Sequence, residues 1–330
     1  MRKQNAVFAN FVCHFGSDAV LLDYAREIVV PALTDPALKR TYGPDTVYVI
    51  RDAELVRFGE PQSPVVAVGG RFIKNTVLRR HQVLHPEQGL IPDQQAMASA
   101  PSAWFLLVLN NHRLVYLPET PYAPDLVAFE AAARKFISER HKAYIDGLLA
   151  AAKERGERTT KAALMREHGR PVIDVVPLSN EASIEAFLKR FSKLQRIEFE
   201  LVKPNQEIDG SAIWRQWREQ NQKLAPDKTV VRTEKSEGFD LQEAGRQIAD
   251  AAASGGQRVR LVGRDENDNK IDGDNDSFKV SAPIKDPPKE RRALFGRLYQ
   301  SFVGLMAAGT IRVEQPADDV QAKLRALDGM

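Results

Sequence analysis

Between Gln257 and Ala308 the hydrophobic spacing switches from a period of two to a helical period, and this switch restricts the fold more than any other feature of the chain. Arg258, Arg260 and Val262 alternate with Val259, Leu261 and Gly263, as in a half-buried strand, and a polar acidic turn follows. A second short strand is expected from Ser277 to Val280, leading into Ser281-Ala282-Pro283. Past Pro287-Pro288, which suits a helix start, Leu294, Leu298, Phe302 and Leu305 recur at helical spacing. Strand, turn, strand and helix within fifty-two residues point to an α+β fold rather than a helical bundle or an all-β sandwich.

Upstream, Ala6 to Phe15 alternates as a strand and Asp18 to Pro31 is spaced as a short helix. Thr46 to Ile50, Glu54 to Phe58 and Val65 to Phe72 read as strands, and Asn110-Asn111-His112 as the turn between strands Trp104–Leu109 and Leu114–Leu117. A long helix is expected from Asp125 to Arg155, then a charged linker holding a short helix from Lys161 to His168. Beyond it come strands at Val172–Val176, Arg196–Val202 and Thr229–Thr233, and helices at Ser179–Phe191, Ile213–Leu224 and Leu241–Ser254, with Ser179 as an N-cap. The expected organisation is two mixed domains of antiparallel sheets packed with helices, 1–155 and 171–330, joined by the linker 156–170. The second is a candidate ferredoxin-like sandwich. Its last helix can equally return to the first domain, with Thr310 to Glu314 adding a strand there.

The cassette near the end resembles the C-terminal part of RexA, the soluble component of the lambdoid phage exclusion system. The resemblance lies in the charged strand, the turn Asp265, Glu266, Asn267, Asp268 and Asn269, then Ser281-Ala282-Pro283 and the long helix. Weaker echoes are Ser102 to Val108 with Leu126 and Phe129, and Phe199 to Pro204. The resemblance implies a homodimeric, sequence-nonspecific DNA-binding protein of anti-phage defence, acting with a membrane-embedded effector. It carries no DNA-contacting motif across.

The chain has 330 residues, long enough for two domains with cores of their own. With 47 basic and 44 acidic residues its net charge is only +3, so nucleic-acid affinity would have to come from local clusters. A lone cysteine, Cys13, rules out an internal disulfide and fits a cytoplasmic location. The longest apolar run, Ala103 to Leu109, is far short of the roughly 20 residues of a membrane helix.

Signs of catalysis or cofactor binding are sparse. The sequence has no Walker loop and no G-x-G-x-x-G opening a helix. Gly69-Gly70-Arg71 reads better as a strand irregularity than as a phosphate cradle. Asp268-Asn269-Lys270 has the carboxylate-x-lysine spacing of a metal-dependent nuclease but falls in the expected turn. The acids Asp265, Asp268, Asp272, Asp274 and Asp276 are better read as a solvated hairpin tip than as a calcium loop, since Lys270 stands where such a loop needs glycine. His81 and His85 have helical zinc-ligand spacing without a third ligand, and adjacent Cys13 and His14 point to opposite faces of a strand. The expectation is a non-catalytic protein needing no cofactor or metal.

Three basic clusters are the candidate DNA contacts: Arg71, Lys74, Arg79 and Arg80 with His81; Lys189, Arg190, Lys193 and Arg196; and Lys285, Lys289, Arg291 and Arg292. Lining one groove, they would neutralise phosphates without reading bases, most simply on duplex DNA. Trp214 and Trp217, beside Arg215 and Arg218, read as core or dimer contacts before base-stacking rings. The alternative functions are a protein-interaction adaptor recognising a phage or host protein and, last, a divalent-metal nuclease.

Overall fold

A computed structural model describes residues 3–16, 19–60, 64–202, 228–252, 255–311, 313 and 319–330. The helix expected over Ile213–Leu224, with both of its tryptophans, lies outside the described residues; of the strand expected over Thr310–Glu314, Thr310, Ile311 and Val313 are described and none of them is in a strand.

The larger of two antiparallel sheets is built on β1 (Lys3–Phe15). Its other strands are β2 (Ala19–Val20), β3 (Lys39–Tyr42), β4 (Thr46–Phe58), β5 (Val65–His85), β6 (Gly89–Ser99), β7 (Ser102–Val108), β8 (Arg113–Pro118), β9 (Pro171–Pro177) and, much later in the chain, β14 (Ser281–Lys285). The main path runs β14-β1-β8-β7-β5-β4-β3, with β9 also on β1 and β6 on β5. β1 is long enough to hold β14 along Lys3–Val7 and β9 along Ala9–Phe15.

Both faces of this sheet are covered, which is why β7 reads as an unbroken apolar run. On β1, Ala9, Phe11, Cys13 and Phe15 face one core and Ala6 and Phe8 the other. The first core lies under helices α1 (Val30–Thr34) and α2 (Leu126–Glu154). There the Phe129 ring meets Phe105 at 5.0 Å, Phe72 at 5.4 Å and Tyr116 at 5.7 Å. Each such buried ring contributes about 2–3 kcal/mol. Asp125 caps α2 by accepting a hydrogen bond from Ala128 N at 2.8 Å, and Gly156, at φ 73°, lets the chain leave the helix.

Three further helices are α3 (Lys161–Glu167), α4 (Glu181–Leu188) and α5 (Leu241–Ala252). The smaller sheet runs β11-β10-β12-β13, from β10 (Lys193–Leu201), β11 (Thr229–Glu234), β12 (Gln257–Arg264) and β13 (Lys270–Asp274). Helices α4 and α5 cover the face carrying Ile197, Phe199, Val259 and Leu261. The opposite face is a charged lattice in which Glu198 sits between Arg232 and Arg260.

Helix α6 (Arg291–Ala307) returns to the larger sheet, burying Leu294, Phe295, Leu298 and Phe302 against Ala67, Trp104, Leu106 and Leu117. Of the two courses the sequence left open, the last long helix thus takes the return to the first sheet. Because β9 and β14 both pair with β1, the smaller sheet is made by the chain between them and stands as an insertion. Arg258 of β12 ties the two parts together, 2.7 Å from Glu130 on α2 and 3.1 Å from Asp174 on β9.

Several local expectations are also corrected. Asn180, not Ser179, caps α4, accepting from Ser183 N at 2.8 Å, while Ser179 bridges to Lys279. The partner of β12 is β13, because the Asp265–Asn269 turn closes at once; Ser277 to Val280 forms no strand of its own. Of the helix expected over Asp18–Pro31, Asp18 lies outside the described residues, Ala19–Val20 is β2, and Leu21–Val29 is a tight 3-10 turn and a π turn leading into α1. Gly69 lies within β5 because a Cβ there would sit 2.7 Å from the Phe295 ring.

Candidate nucleic-acid interface

Strand β5 runs past the sheet. Beyond Thr76 it pairs with β6 alone among the described strands, from Thr76↔Ser99 to His85↔Gly89, forming a two-stranded arm. His81 and His85 both lie on this strand. Four residues of extended chain put them about 13 Å apart, too far to share a metal ion.

At the root of the arm the registers Arg40↔Tyr48 and Tyr48↔Lys74 place these three side chains in one row on one face, with Tyr42, Thr46 and Thr76 in the next. The Arg40 guanidinium lies 5.4 Å from the Tyr42 ring centre and 5.6 Å from that of Tyr48. Tyr48 is buried and stacks on Phe72 at 5.5 Å, so it fixes the row to the core. Burial raises the Tyr48 phenol above its ordinary range, and Arg40 offsets part of this. Tyr42 is 62% exposed, leaving its ring edge and hydroxyl to solvent. Lys74 has no ion-pair partner among the described residues. The row and its neighbour Tyr42 offer two cations and an exposed phenol, the groups that bind phosphate oxygens.

The other expected contacts divide by strand parity. Arg79 on the arm holds Asp45 through Nε at 3.1 Å and Nη2 at 2.8 Å, and Arg80 pairs with Asp93. Arg71, an odd-numbered residue of β5, faces away from Lys74. It lies 4.1 Å over the Trp104 ring and pairs with Glu119 at 3.1 Å and Asp52 at 3.3 Å. On that same face Glu54 pairs with Arg291 at 2.6 Å and Arg292 at 2.9 Å. Lys285 stands on edge strand β14 opposite Lys3, and Lys289 in the turn before α6. Lys189 and Arg190 follow α4 and Lys193 and Arg196 lie on β10 of the smaller sheet; Arg190 lies over the Phe187 ring at 5.1 Å and Arg196 holds Glu234 at 2.6 Å. Arg71 thus shares a sheet face with Arg291 and Arg292, whereas Arg79 and Arg80 lie on the arm and the Lys189–Arg196 cluster belongs to the inserted part, and carboxylates neutralise most of these arginines. Arg40, in the row with Lys74, and Tyr42, in the next row, carry no local sequence signal; only the pairing of β3 with β4 brings them there.

The acidic turn is occupied with its own structure. Asp265 accepts from the backbone of Asn267 and Asn269 and from the Asn269 side chain, which holds its carboxyl below the ordinary range. Asp268 pairs with Arg264 at 2.9 Å, Asp272 with Arg260 at 3.1 Å and Asp276 with Lys279 at 2.9 Å. Among the described residues no group of three or more His, Cys, Asp or Glu side chains is placed to hold a metal ion. No described helix is long and apolar enough to cross a membrane.

The fold defines an α+β protein with a large sheet covered on both faces, a smaller inserted sheet and a projecting arm. Residues 78–299, more than half of the chain, match the family described as Domain of unknown function (DUF4747), and the chain belongs to it. No curated protein matches.

Proposed function

We propose that the chain binds duplex DNA without reading its sequence, as a non-catalytic infection sensor of the RexA-like, anti-phage kind, in the cytoplasm and upstream of a membrane-embedded effector. The observation that carries the DNA-binding part is the Arg40–Tyr48–Lys74 row, with exposed Tyr42 beside it, at the foot of a ribbon two strands wide. A two-stranded ribbon fits the major groove, about 12 Å wide. With the arm in the groove, Arg40 and Lys74 meet the flanking backbone and the Tyr42 hydroxyl donates to a phosphate oxygen. Arg79 and Arg80, already paired with acids, add little charge of their own. The defence role and the effector rest on the RexA resemblance alone.

Electrophoretic shifts with two unrelated duplexes test the reading. Equal affinities that fall steeply between about 50 and 200 mM salt are expected. No shift at the lower salt would overturn it. A second reading, protein recognition through the arm, is favoured by its exposed Leu84, Leu90 and Met97, and predicts a complex that withstands salt.

A further inference from the structure

The arm exposes four large apolar side chains. Leu78 is 43% exposed, Met97 64%, Leu84 76% and Leu90 65%. The register pairs Leu78 with Met97 near the root and Leu84 with Leu90 near the tip. Leu78 and Leu84 are six residues apart on β5, so both pairs lie on one face, about 20 Å from each other. Between them stand Arg80, neutralised by Asp93, and Gln82 opposite Pro92. An isolated two-stranded hairpin is marginal in water, and these side chains have no core beneath them.

We propose that this face is covered by the same face of a second copy of the chain, the two arms lying antiparallel about a two-fold axis. Antiparallel placement sets the root pair of each copy against the tip pair of the other, so one repeated pattern is complementary to itself. It also carries the tip, with exposed Glu87, toward Lys74 of the other copy, a cation without a described ion-pair partner. Outer β6 is poorly suited to edge-to-edge pairing, because Pro92 lacks an N–H and the register shifts between Arg80 and Gln82. An arm about 30 Å long and two strands wide gives an interface at the small end of specific ones, hence a weak, concentration-dependent dimer. The inference is independent of the DNA reading, although the second copy and a phosphate would compete for Lys74.

Sedimentation equilibrium of the full chain, freed of nucleic acid, tests this. The wild type should dimerise in the micromolar range, and Leu84→Glu or Leu78→Glu should weaken the dimer at least tenfold without changing the melting of the body. Glu87→Lys should weaken it several-fold, and Lys74→Glu added to Glu87→Lys should restore it. A monomer at every concentration, or a dimer indifferent to Leu84→Glu, would overturn the proposal. Failure of the double exchange to restore association would overturn the antiparallel arrangement.

Discussion

His112 makes the fold sensitive to acid in a calculable way. It occupies the β7–β8 turn at φ 55°, its carbonyl accepts from Phe11 N at 2.8 Å, and neither ring nitrogen has a hydrogen-bond partner among the described residues. Burial, reinforced by the charges of Arg113 and Lys323 and by the His14 ring, lowers its pKa from 6.5 to about 3. The unfolded chain therefore binds one more proton than the folded chain between these values. The stability His112 confers is complete above its ordinary pKa and is lost as pH falls toward the folded one. Each pH unit in that window costs about 1.4 kcal/mol, so acidification to about pH 5 removes about 2 kcal/mol through this one side chain. Asn tolerates the left-handed backbone and carries no titrating ring, so His112→Asn should flatten the acid limb. Urea unfolding followed by circular dichroism at neutral pH and at about pH 5 measures this, each protein compared with itself so that any repacking cost cancels. The wild type should lose about 2 kcal/mol more than the variant over that interval. Equal losses would refute the assignment.

Other outcomes follow from the packing. Arg258→Met leaves Glu130 without its cross-sheet partner; with Arg258 one-third exposed, the cost should be about 1–3 kcal/mol in urea unfolding. An unchanged midpoint would show that the inserted sheet is held by other contacts. Gly69→Ala drives a methyl into the Phe295 ring and should cost about 1–3 kcal/mol in a thermal melt, partly recovered by adding Phe295→Leu. The Cys13 thiol is buried and its pKa is pushed up, so a thiol reagent should label the chain only on unfolding; rapid native labelling would contradict its placement.

What the sequence made legible were elements whose signal is local. The alternation in β12, the helical period of α6 and the run from Asp125 into α2 come from one segment facing one core. The sequence left the insertion open beside a C-terminal second domain and could not decide between them, because β9 and β14 join β1 through backbone pairing across most of the chain's length, and pairing leaves little trace in side-chain order. The arm was missed for a related reason: past Phe72 the regular apolar alternation of β5 breaks up, since the ribbon has no core, and the strand is maintained by β6. Clustering by position grouped Arg71 with Lys74, whereas strand parity puts them on opposite faces. Arg40 and Tyr42 could be found only through the β3–β4–β5 registers.

The most direct test of the central claim is the salt dependence of duplex binding for the wild type and for Arg40→Gln with Lys74→Gln. If these two side chains meet phosphates, the double variant should bind every sequence more weakly, and the slope of log affinity against log salt should become shallower by about 2. An unchanged slope would place any nucleic-acid contact elsewhere and contradict the account.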